Sequence, residues 1–131
     1  MSTAVLLEPV AATSSLVDTL LSEARSMGVR VPHPEEIRAY VERFPDVVPV
    51  ARQACELTVA EFDGKSWLSL EVYFDPEIDD SYLVIYVQDD DFSESVRETL
   101  ENIFETYAER MTHSAGWVNV MPSYHRSTRR D

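Results

Sequence analysis

The chain has 131 residues with 24 acidic and 11 basic side chains, which gives a formal net charge of −13 at pH 7. This charge disfavours binding to nucleic acid or to an anionic membrane, because both are held mainly by Lys and Arg. A hydrophobic content of 44% argues against disorder and predicts one folded domain. We expect that domain to span residues 1–121, with residues 1–12 as an arm and residues 122–131 as a flexible tail.

The first half of the chain has helical periodicity. Its apolar residues recur at intervals of three and four, which places them on one helix face. The pattern predicts a first helix over residues 14–27, ended by Gly28. A second helix is predicted over residues 34–44, because a proline fits its first turn and another proline follows its end. A third helix is predicted over residues 47–60, with Asp46 as its N-cap.

The second half begins with strands. Apolar and polar residues alternate over residues 67–74 and again over residues 82–88, and turn-forming residues lie between them. This arrangement predicts an antiparallel hairpin. A long helix that starts within residues 89–93 and ends near Met111 follows, and residues 116–121 form a third strand. A right-handed crossover would place this strand parallel to the second one.

Together these elements predict an α+β domain. N-terminal helices precede a β-β-α-β unit, in which a small mixed sheet packs against the long C-terminal helix. We expect that helix to cover one face of the sheet. The opposite face would carry Trp67, Tyr73, Tyr82, Val84 and Tyr86. We expect the N-terminal helices to cover that face, because they also have apolar stripes to bury; an open aromatic face that binds a partner is the alternative.

Scarce residues set further limits. Cys55 is the single cysteine, so the chain can form no internal disulfide, which suits a reducing compartment. We expect its side chain to be a buried small hydrophobe. No apolar stretch approaches the roughly 20 residues of a membrane span. The apolar residues 5–7 are cut short by Glu8 with no basic residue before them, which is atypical of a secretion signal. We therefore expect a cytoplasmic protein.

Catalytic motifs are missing from the sequence. The three histidines are His33, His113 and His125, and their positions at helix ends and in the tail indicate surface or capping roles. With three glycines in all, the chain has no glycine-rich phosphate loop and no nucleophile-elbow or zinc-protease motif. We expect no enzymatic activity, no catalytic residue and no cofactor.

The negative charge is concentrated in one part of the chain. Residues 71–105 contain twelve acidic side chains and one basic side chain. A solvated face that keeps the protein soluble is one explanation. A docking surface for a basic protein is another, because complementary charge speeds encounter and excludes wrong partners. Such a surface would suit an inhibitor that covers the positive groove of an enzyme acting on nucleic acid.

A metal site is the third explanation for these carboxylates. Asp75, Glu77, Asp79 and Asp80, with the aspartates at 89–91, lie near the ends of the two paired strands, so several hard oxygen ligands for Mg²⁺ or Ca²⁺ could converge. The spacing lacks the glycine and the distal glutamate of an EF-hand loop. Ordinary turn chemistry, in which Asp side chains accept hydrogen bonds from nearby backbone N–H groups, is the alternative. We expect turn chemistry and no metal.

The hairpin also resembles a known pattern. Residues 69–83 read S-L-E-V-Y-F-D-P-E-I-D-D-S-Y-L, and the segments H-P-E-E-I at 33–37 and F-P-D at 44–46 precede them. This pattern resembles that of small bacterial proteins associated with toxin–antitoxin-like gene pairs. The resemblance covers about residues 30–120 and implies an accessory or neutralising protein, with no catalytic residue carried over.

The sequence therefore predicts an antitoxin- or inhibitor-like protein that binds a basic partner protein, such as a toxin or a nucleic-acid-processing enzyme, through an acidic hairpin. The expected contact residues are Glu71, Tyr73, Asp75, Glu77, Asp79, Asp80, Tyr82 and Tyr86. Two alternatives remain open: a metal-dependent enzyme that uses Asp75, Asp79 and Asp80, and a homodimer or larger homo-oligomer that buries its aromatic face against its own copy.

Overall fold

A computed structural model describes residues 15–62, 67–77, 79–88 and 94–123. The expected arm of residues 1–12, the aspartates at 89–91 and the tail from residue 124 onward lie outside the described residues. The fold is α+β, as predicted. In chain order its elements are helix α1 (residues 15–26), strand β1 (Val29–Arg30), helix α2 (Pro34–Arg43), a 3-10 turn (Pro45–Val47), helix α3 (Val48–Phe62), strand β2 (Trp67–Asp75), strand β3 (Asp80–Gln88), helix α4 (Glu94–Met111) and strand β4 (Val118–Pro122).

The strands form one mixed sheet in the order β1-β2-β3-β4. β2 and β3 pair in antiparallel fashion from Trp67 opposite Gln88 to Asp75 opposite Asp80, which confirms the hairpin. β4 is parallel to β3, also as predicted. β1 is missing from the predicted elements, because two residues carry no detectable period. It forms through tertiary pairing, with Val29 opposite Leu68 of β2.

The helices agree with the predicted ones at most of their ends. Gly28 follows α1 with a φ of 95°, a left-handed conformation that glycine adopts without strain. The prediction that Asp46 caps α3 is wrong. Asp46 lies in the 3-10 turn, and its carboxylate accepts hydrogen bonds from the backbone N–H of Ala115 at 2.9 Å and from the hydroxyl of Ser114 at 3.3 Å. These partners lie almost 70 residues further along the chain, so local sequence gives no sign of them.

The helices pack on one face of the sheet. Fully buried residues of that face, among them Leu70, Leu83 and Ile85, join residues from all four helices in a single core. α2 lies against β2 and β3, α3 lies against β3 and β4, and the main strand contact of α4 is with β4. The expectation that the N-terminal helices cover the second face is therefore wrong. α4 covers mainly β4, so the apolar residues of β2 and β3 on the same face of the sheet remain to be covered. The apolar residues of α2 and α3 pack against them.

Cys55 illustrates the character of this core. Its thiol is free and fully buried on α3, as predicted, and burial raises its pKa to about 12. Burial disfavours the charged thiolate, so the side chain acts as a small hydrophobe rather than as a nucleophile. None of the described helices is long and apolar enough to cross a bilayer.

Candidate interaction surface

The second face of the sheet, here called the open face, is built by the residues that alternate with the core positions of each strand. Within the described ranges no helix covers it, because the buried apolar residues of the helices pack into the core on the other side. The strand registers assign the following residues to this face: Arg30 of β1; Trp67, Ser69, Glu71, Tyr73 and Asp75 of β2; Asp80, Tyr82, Val84, Tyr86 and Gln88 of β3; Asn119 and Met121 of β4.

Aromatic side chains occupy much of the open face. Trp67 is 46% exposed and Tyr73 is 38% exposed, whereas Tyr82 and Tyr86 are half-buried. Tyr73 lies directly opposite Tyr82, and their ring centroids are 5.2 Å apart. Such paired rings stabilise the hairpin and also present large contact area that changes little in conformation. The three tyrosines of the predicted contact set therefore lie together.

The layer of side chains on this face is dense. Val84 is fully buried although it lies on the face opposite the helix-side core, and Glu71 and Asn119 are its register partners in the two neighbouring strands. Burial raises the pKa of Tyr86, and the negative charge of Glu71 raises it further. Burial also raises the pKa of Tyr82, while a hydrogen bond with the Asn119 side chain acts in the opposite direction. These hydroxyls therefore remain neutral at physiological pH, available as hydrogen-bonding groups.

The hairpin turn forms the acidic end of this face. Asp75 and Asp80 are paired in register across the two strands. Asp75 Oδ1 accepts a hydrogen bond from the backbone N–H of Glu77 at 3.0 Å, and Asp80 Oδ1 accepts one from the backbone N–H of Ser81 at 2.9 Å. Asp79 completes the turn with a φ of 52°, which aspartate tolerates better than most residues. The carboxylates thus hold the turn, as expected, and also carry its charge.

The placement of these charges is unfavourable for the fold itself. Like charges directly opposite each other in a hairpin are destabilising. The ion pairs of the described residues join Arg38 to Asp18 and Arg52 to Glu23, and none of them reaches the hairpin. Positions that break a local stability rule are often functional positions. The acidic pair is therefore a candidate for a role in binding.

The far end of the open face has the opposite character. The guanidinium of Arg30 lies over the indole ring of Trp67, 3.9 Å from its centroid, in a cation–π contact. Neither residue is in the predicted contact set. The sequence did not predict β1 and so gave no reason to include Arg30. The alternation of apolar and polar residues in β2 does place Trp67 on the same face as Tyr73. The face is therefore acidic at the hairpin and positively charged at β1.

Six of the eight predicted contact residues share the open face, and Glu77 and Asp79 lie in the turn beside it. Asn119 is a further polar member that sequence reasoning did not include; its Oδ1 accepts a hydrogen bond from Trp117 Nε1 at 2.9 Å. Its signal was the alternation of apolar and polar residues in β4, which leaves position 119 facing away from the core.

No three histidine, cysteine, aspartate or glutamate side chains in the described ranges converge as metal ligands, and this includes Asp75, Asp79 and Asp80. A groove of about 720 Å³ lies between α4 and β4. The residues that line it are Glu94, Arg97, Leu100, Glu101, Phe104, Glu105, Asn119, Val120, Met121 and Pro122. The charged groups of this set are three glutamates and Arg97, and it contains no histidine, cysteine or serine.

The fold and this surface define the class of the molecule: an acidic α+β domain whose described helices cover one face of the sheet and leave the other without a helix. No family model, curated protein or solved structure matches the chain. The resemblance of the hairpin to proteins of toxin–antitoxin-like gene pairs therefore stays a prediction.

Proposed function

We propose that this protein is a non-enzymatic interaction protein, antitoxin- or inhibitor-like, whose open face binds a basic partner protein. The observation that carries the proposal is the position of the predicted contact residues: aromatic rings and carboxylates lie close together on a sheet face that no described helix covers and in the turn beside it. An aromatic patch beside concentrated charge is typical of surfaces that bind other proteins.

The two halves of this surface have different roles. The carboxylates of Asp75, Glu77, Asp79 and Asp80 steer a positively charged partner and raise the rate of encounter. The rings of Tyr73, Tyr82 and Tyr86 supply the buried contact area that slows dissociation. The partner surface that fits is a positively charged groove, such as the substrate groove of a toxin or another enzyme that processes nucleic acid.

The rest of the molecule supports this role. We take the small sheet, packed against α2, α3 and the long helix α4, as a rigid platform for the open face. We also propose that the protein acts in the cytoplasm, and its one free, buried cysteine is compatible with that reducing compartment.

The experiment compares two double charge reversals that change the net charge equally. E77K/D80K alters the acidic end of the open face, and E42K/E56K alters exposed positions on the helix layer. Asp79 is left intact because its positive φ suits lysine poorly. Both variants and the native protein are tagged, expressed in the source organism and purified with their bound proteins, which are identified and ranked by calculated charge.

We expect a basic protein to copurify in stoichiometric amount with the native chain and with E42K/E56K, and to be lost from E77K/D80K. Its association rate should fall steeply with salt for the native chain and less steeply for E77K/D80K. Equal recovery with both variants, or an acidic companion, would contradict the proposal. A native chain that is a dimer by light scattering, and that E77K/D80K makes monomeric, would instead support the homodimer alternative.

A further inference from the structure

A second concave region lies at the end of the sheet where β3 and β4 begin, next to the acidic hairpin. It is a pocket of about 350 Å³, which is at the small end of the range for ligand pockets. Three segments distant in sequence form its walls. Its lining residues are Tyr40 and Phe44 at the end of α2; Asp80, Ser81 and Tyr82 at the start of β3; Ala115, Trp117 and Asn119 before and within β4.

Hydrogen bonds hold these walls in place. The backbone N–H of Trp117 donates to the Tyr40 hydroxyl oxygen at 3.0 Å, and the Trp117 indole N–H donates to Asn119. Asp46 accepts the backbone N–H of Ala115 and so fixes the same segment from the other side. The pocket is therefore preformed, so that an occupant would not have to order it on binding.

Close packing beside the pocket adds to this rigidity. Gly116 is buried, and a Cβ atom placed on it would lie 2.9 Å from Val47 Cβ and 3.0 Å from Phe44 Cβ. Only glycine permits this approach, which sets the position of Trp117 relative to α2. The rings of Tyr40 and Phe44 also contact each other, with centroids 4.9 Å apart.

The composition of the walls determines what can bind. Four of the eight lining residues are aromatic, and Asp80 is the one charged residue among them. Aromatic ring faces attract cations, and the attraction is stronger where the pair is removed from water. A planar guanidinium can stack on a ring while its N–H groups donate to a carboxylate. Both features of this pocket therefore favour an organic cation over a neutral or anionic group.

The charged groups around the pocket also favour a cation. Burial is the main cause of the raised pKa of Tyr40, and the hydrogen bond from the Trp117 backbone N–H opposes it. The negative charges of Asp80 and Asp46 raise this pKa further, and the positive charge of Arg43 lowers it. Arg43 lies 5.1 Å from the centroid of the Phe44 ring and is not among the lining residues. The Asp80 charge also raises the pKa of Tyr82. Asp80 is therefore the negative charge within the pocket lining that acts on both tyrosines.

We propose that this pocket binds an arginine side chain of the basic partner, with its guanidinium between the aromatic walls and against the Asp80 carboxylate. The inference rests on the proposed function and deepens it by naming the anchoring group. Asp80 and Tyr82 belong to both the pocket and the predicted contact surface, so the arginine would insert near the hairpin end of the interface. Buried arginine and aromatic anchors of this kind carry much of the energy of protein interfaces.

The test uses the full chain, labelled with ¹⁵N, and three small compounds. They are N-acetyl-arginine amide, its neutral isostere N-acetyl-citrulline amide, and N-acetyl-lysine amide. Binding is followed by the NMR shifts of the Trp117 indole and the Asn119 backbone amide, with the Trp67 indole as an internal reference. We expect saturable shifts at Trp117 with arginine, binding at least three-fold weaker with lysine, and none with citrulline at the same concentration.

Two variants then separate the pocket from the general field of the hairpin. D80N removes the charge inside the pocket, and D79N removes an equal charge from the adjacent turn residue while asparagine still tolerates the positive φ. We expect D80N to weaken arginine binding at least five-fold and D79N to change it less than two-fold. Absence of saturable shifts, equal binding of citrulline, or equal effects of the two variants would each overturn the inference.

This measurement needs no partner, so its failure is distinguishable from failure of the proposed function. If the basic companion is lost from E77K/D80K but the protein does not bind arginine, the proposed docking surface is supported and the proposed arginine pocket is refuted. Specific arginine binding with unchanged recovery of companions would mean that the pocket acts without the proposed docking surface and would overturn its assignment as the partner's anchor.

Discussion

Replacing Tyr107 by phenylalanine tests how α4 is joined to the sheet. The Tyr107 hydroxyl donates a hydrogen bond of 2.8 Å to the backbone carbonyl of Val118, and both residues are fully buried. The neighbouring N–H of Val118 points at Met111 Sδ, 3.2 Å away. α4 thus satisfies the outward backbone groups at the start of β4, which is the outer strand of the sheet.

The magnitude follows from burial. Y107F keeps the ring but leaves the Val118 carbonyl without a donor in a site that water does not reach, and the expected loss is about 1.5 kcal/mol. For 131 residues, an unfolding entropy of roughly 2.1 cal/mol/K per residue makes this a fall in Tm of about 5 °C. Thermal and urea unfolding followed by circular dichroism give both quantities.

The matched control is Y73F. Tyr73 is on the open face with its ring 38% exposed, so water can solvate any group that its hydroxyl contacts. We expect its loss to change the free energy of unfolding by less than about 0.5 kcal/mol. The reasoning is refuted if Y107F is as mild as Y73F, or if both variants lose the same stability.

Three further predictions concern the core and the segment before β4. Because burial raises the pKa of Cys55 to about 12 from its ordinary 9.0, the folded state retains a proton that the unfolded state releases, so stability is complete below pH 9 and falls above it. We expect a loss of about 1.4 kcal/mol from this thiol between pH 8 and 10, and C55A should remove that part of the pH dependence in urea titrations. G116A forces a Cβ atom against Val47 and should cost about 1–3 kcal/mol in the same assay. D46A removes the acceptor of the Ala115 N–H and should cost about 1 kcal/mol.

Each of these predictions has an outcome that would contradict it. An unchanged pH slope in C55A would mean that other groups cause the alkaline loss. A G116A variant as stable as the native chain would show that Val47 and Phe44 move aside easily. D18A serves as the control for D46A, because the Asp18 carboxylate is 65% exposed in its ion pair with Arg38 and should contribute less than about 0.5 kcal/mol. Equal losses in D46A and D18A would refute the role given to Asp46.

The sequence was informative where the pattern is local. Alternation over β2 and β3 and the long apolar stripe of α4 specify both the elements and their buried sides. The two-residue period also placed Glu71, Tyr73, Tyr82 and Tyr86 on one face, because residues of equal parity in paired strands must share a face.

The parts that could not be predicted depend on contacts between distant residues. β1 forms through the pairing of Val29 with Leu68 of β2. The hydrogen bond between Trp117 and Tyr40 joins residues that are 77 positions apart. The expectation that helices cover both faces failed for a related reason. An apolar stripe shows that a helix must be buried, but it does not show on which side of the sheet. The pocket beside Asp80 could not be predicted either, because residues from three segments distant in sequence form it.

The central claim is that the open face binds a basic partner protein. Its most direct test is hydrogen exchange, measured by mass spectrometry, of the native chain alone and in complex with the basic protein that copurifies with it. We predict slower exchange in β2, β3 and the residues around Trp117 when the partner is bound, with no change on the outer side of α3. Protection confined to the helix layer, with unchanged exchange in the hairpin, would contradict the assignment of the open face as the binding surface.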